Sequence, residues 1–158
     1  MSKELQKIFD DDQKDRHDPA IRNDATLLTR NDKIRKKVVR DILREDKSLS
    51  AKDYYFAAMI FHHGSSIQDS IKAVKFSETS YKLGYKKALS LYATCLDRLL
   101  LKKGKEQKFG TQYQRKDTKS KWELLPVDSQ TTDEERKKYN VAPLKELITN
   151  VEKLNNND

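Results

Sequence analysis

The segment from Asp53 to Gly64, D-Y-Y-F-A-A-M-I-F-H-H-G, limits the fold more than any other part of this chain. Ser50 followed three residues later by Asp53 is a capping-box pattern with the shorter acid, so a helix starts here. From Tyr54 to Phe61 that helix is apolar on every side. A helix without a polar face must be surrounded by other elements, so it belongs in the middle of a bundle. His62 and His63 close it, and Gly64 takes the position after its cap.

Periodicity supplies the surrounding helices. A first one is predicted over Ser2–Gln13 or slightly beyond, with a narrow stripe of Leu5, Ile8 and Phe9, ending before Pro19. A second is predicted from an Asn31 N-cap to Glu45, burying Ile34, Val38, Val39, Ile42 and Leu43. After the central helix, one begins past Ser65 or Ser66 and ends at Gly84, and the next spans Tyr85–Lys103 and stops at Gly104. Two helices of similar length joined tightly read as an αα-hairpin. Phe109–Gln114 and Trp122–Val127 can pair as a short β-hairpin, Thr132 opens a short helix over Asp133–Tyr139, and Pro143 starts a last helix with Leu144, Leu147, Ile148 and Val151. The expectation is an all-α compact multi-helix bundle with a central αα-hairpin and a short β-hairpin near 109–127. It forms one domain over 1–154, with 155–158 as a disordered tail.

Composition narrows the function classes. Four Gly and three Pro are too few for a sandwich or barrel built from tight turns. Hydrophobic residues make up 35% and charged residues 37%, with a mean hydropathy of −0.95, so the core is small and central. No apolar run approaches the ~20 residues of a membrane span, and Met1–Asp12 lacks a signal-peptide core. A cytoplasmic protein is expected, or an exported one if a signal was trimmed. The single cysteine, Cys95, lies in an apolar helical pattern and reads as a buried inert thiol. The net charge of +8 concentrates in residues 102–121, where eight Lys/Arg face Glu106 and Asp117. With Phe109, Tyr113 and Trp122 nearby, that strip admits a nucleic-acid partner as a subordinate reading, because lysine-rich loops are commonly just solvated.

The chemistry-bearing residues are few. His63 ends a helix, where the dipole favours a protonated ring, and imidazole can act as base, acid or anion contact. Asp97 and Arg98 interrupt the leucine-rich run L-D-R-L-L. As neighbours they point in different directions, so each needs its own partner, and His63 is a natural one for Asp97. A carboxylate–imidazole pair orients the ring for catalysis or ties two helices together. The loop after Gly104 is dense in amides and hydroxyls at Gln107, Thr111 and Gln112, while Gln13 and Arg16 lie three apart on one side of the first helix. Three histidines and one cysteine give no metal-ligand spacing, so no metal and no cofactor is expected. Phosphate-loop, nucleophile-elbow, zincin and thioredoxin motifs do not occur.

Taken together, D-Q-x-x-R at Asp12–Arg16, N-D-x-x-R at Asn31–Arg35, the Asp53–Gly64 segment, L-D-R-L-L at Leu96–Leu100 and Q-K-F-G-T-Q-Y at Gln107–Tyr113 resemble the bacterial domain-of-unknown-function family 6624 over roughly residues 5–114. His62 departs from the glutamine often found there. The resemblance implies a compact, mainly helical domain with polar motif residues Asp12, Gln13, Arg16, Asp32, Arg35, His63, Asp97, Arg98, Gln107, Thr111 and Gln112. It implies no particular reaction. The expectation is a small helical binding or interaction protein whose polar cleft takes an anionic or amide-bearing ligand, either a small molecule or a protein segment, through Gln13, Arg16, Arg35, Gln107, Thr111 and Gln112. The alternative is a hydrolase or transferase with His63 as base, Asp97 as its orienter, and Arg98 or the Thr111/Gln112 amides of the Gln107–Gln112 loop stabilising developing negative charge.

Overall fold

The computed structural model describes residues 1–46 and 48–157. The chain is mainly helical, with one two-stranded antiparallel ribbon among the described residues. Its residues gather into two compact units, Met1–Ala88 and the chain from Leu89 onward.

The first unit contains α1 (Lys3–His17), α2 (Pro19–Arg22), α3 (Ala25–Glu45), α4 (Ala51–His62) and α5 (Ile67–Lys82). The all-apolar helix is α4, and it packs against α1, α3 and α5 as its lack of a polar face requires. Its capping box forms in both directions: Ser50 Oγ accepts from Asp53 N, and the Asp53 carboxylate accepts from Ser50 N. Asp53 also accepts from Ser2 N at 2.8 Å, which pins the start of α1 to the start of α4. Phe56, Ala57, Ile60 and Phe61 are buried with Leu5, Val39 and Ala73, and Phe9 packs on Phe56 with ring centroids 4.6 Å apart. Within this unit α4 and α5 pack together as an αα-hairpin. Buried Ser70, Ala73, Ser77 and Ser80 give α5 a face of small residues, and Ser80 Oγ donates to Ala51 O at 2.6 Å.

Helix α1 runs to His17 and ends before Pro19 as expected, because Asp18 both closes it and caps the unforeseen α2 through Ala20 N at 2.9 Å. One boundary differs: α3 starts after Asp24, whose side chain caps Leu27 N at 2.9 Å, so Asn31 lies inside the helix instead of at its start. Gly64 follows the cap of α4 without a positive φ. A Cβ there would lie 2.4 Å from the Asp69 side chain, so the glycine answers to crowding and not to a left-handed turn.

The second unit contains α6 (Ala88–Lys102), apart from its first residue, then β1 (Tyr113–Gln114), β2 (Glu123–Leu124), α7 (Asp133–Lys138) and α8 (Leu144–Asn157). Tyr113 pairs with Leu124 and Gln114 with Glu123, so the predicted hairpin exists but is two residues long on each side. Phe109 packs on Tyr139 at 4.9 Å, and Tyr139 stacks on Tyr92 at 5.5 Å. Cys95 is buried. Arg136 is 2% exposed and donates to the Phe109 and Thr131 carbonyls, both at 2.9 Å. The expected disordered tail is a helical turn instead: α8 runs to Asn157, and the Asn155 amide pairs with both backbone groups of Trp122, at 2.6 and 3.0 Å. Asp158 lies outside the described residues. No described helix is long and apolar enough to cross a membrane.

Candidate functional site

Each unit holds one constellation of polar motif residues. The first joins α1, α3 and the end of α4. Asp12 and Arg16 are one turn apart on α1, and Asp32 and Arg35 share one face of α3. His63 follows the last turn of α4. Arg16 Nη2 donates to both Asp32 oxygens at 2.8 Å, while its Nε lies 3.2 Å from Asp12 Oδ1 and 2.8 Å from His63 Nδ1. Arg35 reaches Asp32 Oδ1 at 3.1 Å and also pairs with Asp15. Gln13 Nε2 donates to Asp12 Oδ2 at 2.9 Å, and Asn31 Nδ2 donates to Asp15 at 2.9 Å.

Asp12 is the buried centre, at 1% exposure. Burial would push its carboxyl above the ordinary value of 3.8, but the hydrogen bond and charge of His63 in its protonated form, followed by those of Arg16, outweigh it and hold the group below that value. Three carboxylates, Asp12, Asp15 and Asp32, face the guanidinium groups of Arg16 and Arg35. One negative charge is therefore unmatched when the imidazole is neutral.

His63 Nδ1 has two neighbours that ask opposite things of it. Arg16 Nε–H can only donate to it, at 2.8 Å, whereas Asp12 at 3.1–3.3 Å can only accept from it. The arginine contact is the shorter. A neutral ring that accepts from Arg16 carries its proton on Nε2. Neither His63 Nε2 nor Arg16 Nη1 has a hydrogen-bond partner among the described residues, and neither is a sealed-off orphan atom. In that tautomer both are donors that are not sealed off, held in place by the buried Asp12 and the part-buried Asp32. On the Asp15–Arg35 edge of the same cluster lies a groove of about 450 Å³ between α1, α2 and α3, with Ile34 half exposed in its wall.

The second constellation is a clasp in the second unit. The Asp97 carboxylate, 0% exposed, accepts from Lys108 N at 2.7 Å, Phe109 N at 2.8 Å, Thr111 N at 2.9 Å and Thr111 Oγ1 at 2.8 Å. Gly110, at φ +92°, gives the loop the left-handed residue that lets amides on either side converge. Gln107 is equally enclosed: its Nε2 donates to the Gln112 and Leu125 carbonyls at 2.9 and 2.8 Å, and its Oε1 accepts from Gln112 N at 2.8 Å. Gln112 Nε2 donates to Thr111 Oγ1 at 3.1 Å.

A His63–Asp97 pair is the expectation; within the first unit His63 takes Asp12 and Arg16, and within the second unit Asp97 takes loop amides. Gln107 and Thr111 spend their side-chain polar groups inside the clasp, where a ligand contact was expected, and Gln112 spends its own largely there. Arg98 is half-buried and already engaged. Gln13, Arg16 and Arg35 do gather with His63, together with Asp32, Asp15 and Asn31. Reading His63 toward Asp97 missed Asp12 as its carboxylate. The available signal was the four-residue spacing of Asp12 and Arg16, which puts both on one helix face. No group of His, Cys, Asp and Glu among the described residues is arranged to hold a metal ion. No family model, curated protein or solved structure matches the chain.

Proposed function

We propose that this chain is a small binding protein that recognises an acceptor-bearing ligand (a carboxylate, a phosphate or an amide carbonyl) through His63 Nε2–H and Arg16 Nη1. The observation that carries this reading is the 2.8 Å approach of Arg16 Nε to His63 Nδ1. It assigns the ring nitrogen facing the protein as an acceptor, so the outward nitrogen is a donor. Donors aimed outward and fixed by buried carboxylates suit recognition with little ordering cost. The unmatched negative charge favours neutral carbonyls or singly charged acids over highly charged anions.

The enzyme reading takes a different form here. Asp12, and not Asp97, would orient His63 at 3.1 Å, and the base would need its lone pair on Nε2. That tautomer places a second hydrogen against Arg16 Nε, which is why binding is the better reading. Titration with acetamide, acetate and phosphate, followed by NMR of the backbone amides around Asp12, Arg16 and His63, tests it. Saturable shifts confined to this cluster and lost in His63→Ala are expected. Shifts that persist unchanged in His63→Ala, or none with any probe, contradict it.

A further inference from the structure

We propose that a second site, the groove between α3, α4 and α5, binds a small phosphate ester carrying a flat ring, of the mononucleotide class. The groove has a volume of about 390 Å³, within the range of small-molecule pockets. Arg40 and Arg44 of α3 line one side, Lys72 and Lys75 of α5 the other, and no carboxylate lines it. Tyr54 and Phe76 complete the lining with rings whose centroids are 6.2 Å apart and inclined at 33°.

The neighbouring acids are spent elsewhere. Glu78 pairs with Lys82 at 2.6 Å, and Asp69 with Lys36 at 2.6 Å. Asp41 and Glu45 lie 3.2 and 3.7 Å from Arg44 on its exposed side and temper only that one cation. Arg40 and Lys75 have no ion-pair partner among the described residues. Like charges one turn apart on α3, facing two more across a groove, repel one another, and a bound anion removes that repulsion. Arginine suits phosphate in particular, because its planar fork meets two oxygens at once. The aromatic pair supplies what phosphate alone does not use, a flat apolar surface on which a ring can stack. All the parts sit on three helices of one unit, so the groove needs no rearrangement to accept such a ligand.

The test is calorimetric titration of the intact protein with adenosine monophosphate, adenosine and inorganic phosphate, repeated on Arg40→Gln/Lys75→Gln and on Tyr54→Leu. Arg40 and Lys75 are exposed and unpaired, so the double variant should melt with the wild type. The nucleotide should bind saturably, at least about tenfold tighter than phosphate or adenosine, and more weakly as salt rises. The double variant should lose about tenfold or more, and Tyr54→Leu should lose several-fold for the nucleotide while leaving phosphate unchanged. Absence of saturable nucleotide binding up to about 10 mM, equal affinity for phosphate and nucleotide, or an unchanged double variant would each overturn the proposal. Loss of binding in His63→Ala instead would transfer the ligand to the first cluster and overturn it as well.

Discussion

Asp12 decides the chemistry of the first cluster because it is buried while every partner around it is polar. Replacing it with Asn removes the charge that Arg16 and His63 share but leaves Arg16 bonded to Asp32. The expected cost at neutral pH is about 2 kcal/mol, less than the loss of a fully enclosed ion-pair partner. Urea unfolding measures it. The pH dependence has a definite sign: the folded carboxyl titrates below 3.8, so its contribution is complete above that value and is lost as pH falls through the folded pKa. Wild type and Asp12→Asn should therefore differ in full at pH 7 and converge in the acid range below 3.8. A gap that stays constant down to acid unfolding would contradict an ionised Asp12.

At the scale of elements, side chains that replace absent backbone partners hold the loops. Asp97 takes the place of a strand for Lys108, Phe109 and Thr111, so Asp97→Ala leaves three loop N–H groups without their acceptor. A loss of about 3 kcal/mol is expected in chemical denaturation, with amide exchange quickened at those residues. Asp97→Asn should recover part of it, since one carboxamide oxygen still accepts. Gly64→Ala should cost about 2 kcal/mol, because the new methyl meets Asp69 while that residue is bonded to Lys36 and Ser66. The same change at Gly104, where nothing lies within 4 Å of the added carbon, meets only the strain of φ +71°. Comparing the two thermal midpoints separates crowding from backbone strain.

Across the whole molecule, the sequence shows the helices better than it shows their meetings. The α4 core helix was legible because a run without polar residues has one solution, and Ser50 with Asp53 marked its start. Asn31 misled as a cap because its side chain had the right chemistry, while the true cap, Asp24, precedes residues without strong periodicity. The polar motif residues were identifiable as unusual, and within each unit they gather: Asp12, Gln13, Arg16, Asp32, Arg35 and His63 in the first, Asp97, Gln107, Thr111 and Gln112 in the second. What could not be read was which converges with which: Asp12 and Asp97 are both acids suited to His63, and their sequence distances from it do not distinguish them. That choice depends on how helices cross, and crossing geometry is set by packing shapes and not by local pattern.

Ligand recognition at the first cluster depends on which nitrogen of His63 carries the proton. Long-range proton–nitrogen NMR of the imidazoles at about pH 8, above the ordinary histidine range near 6.5, reads it directly. His63→Ala identifies its signals among the three histidines. A protonated Nε2 with an unprotonated Nδ1 that accepts from Arg16 is the predicted result. A proton on Nδ1, bonded to Asp12 with a bare Nε2, would contradict it and make the outward nitrogen a base.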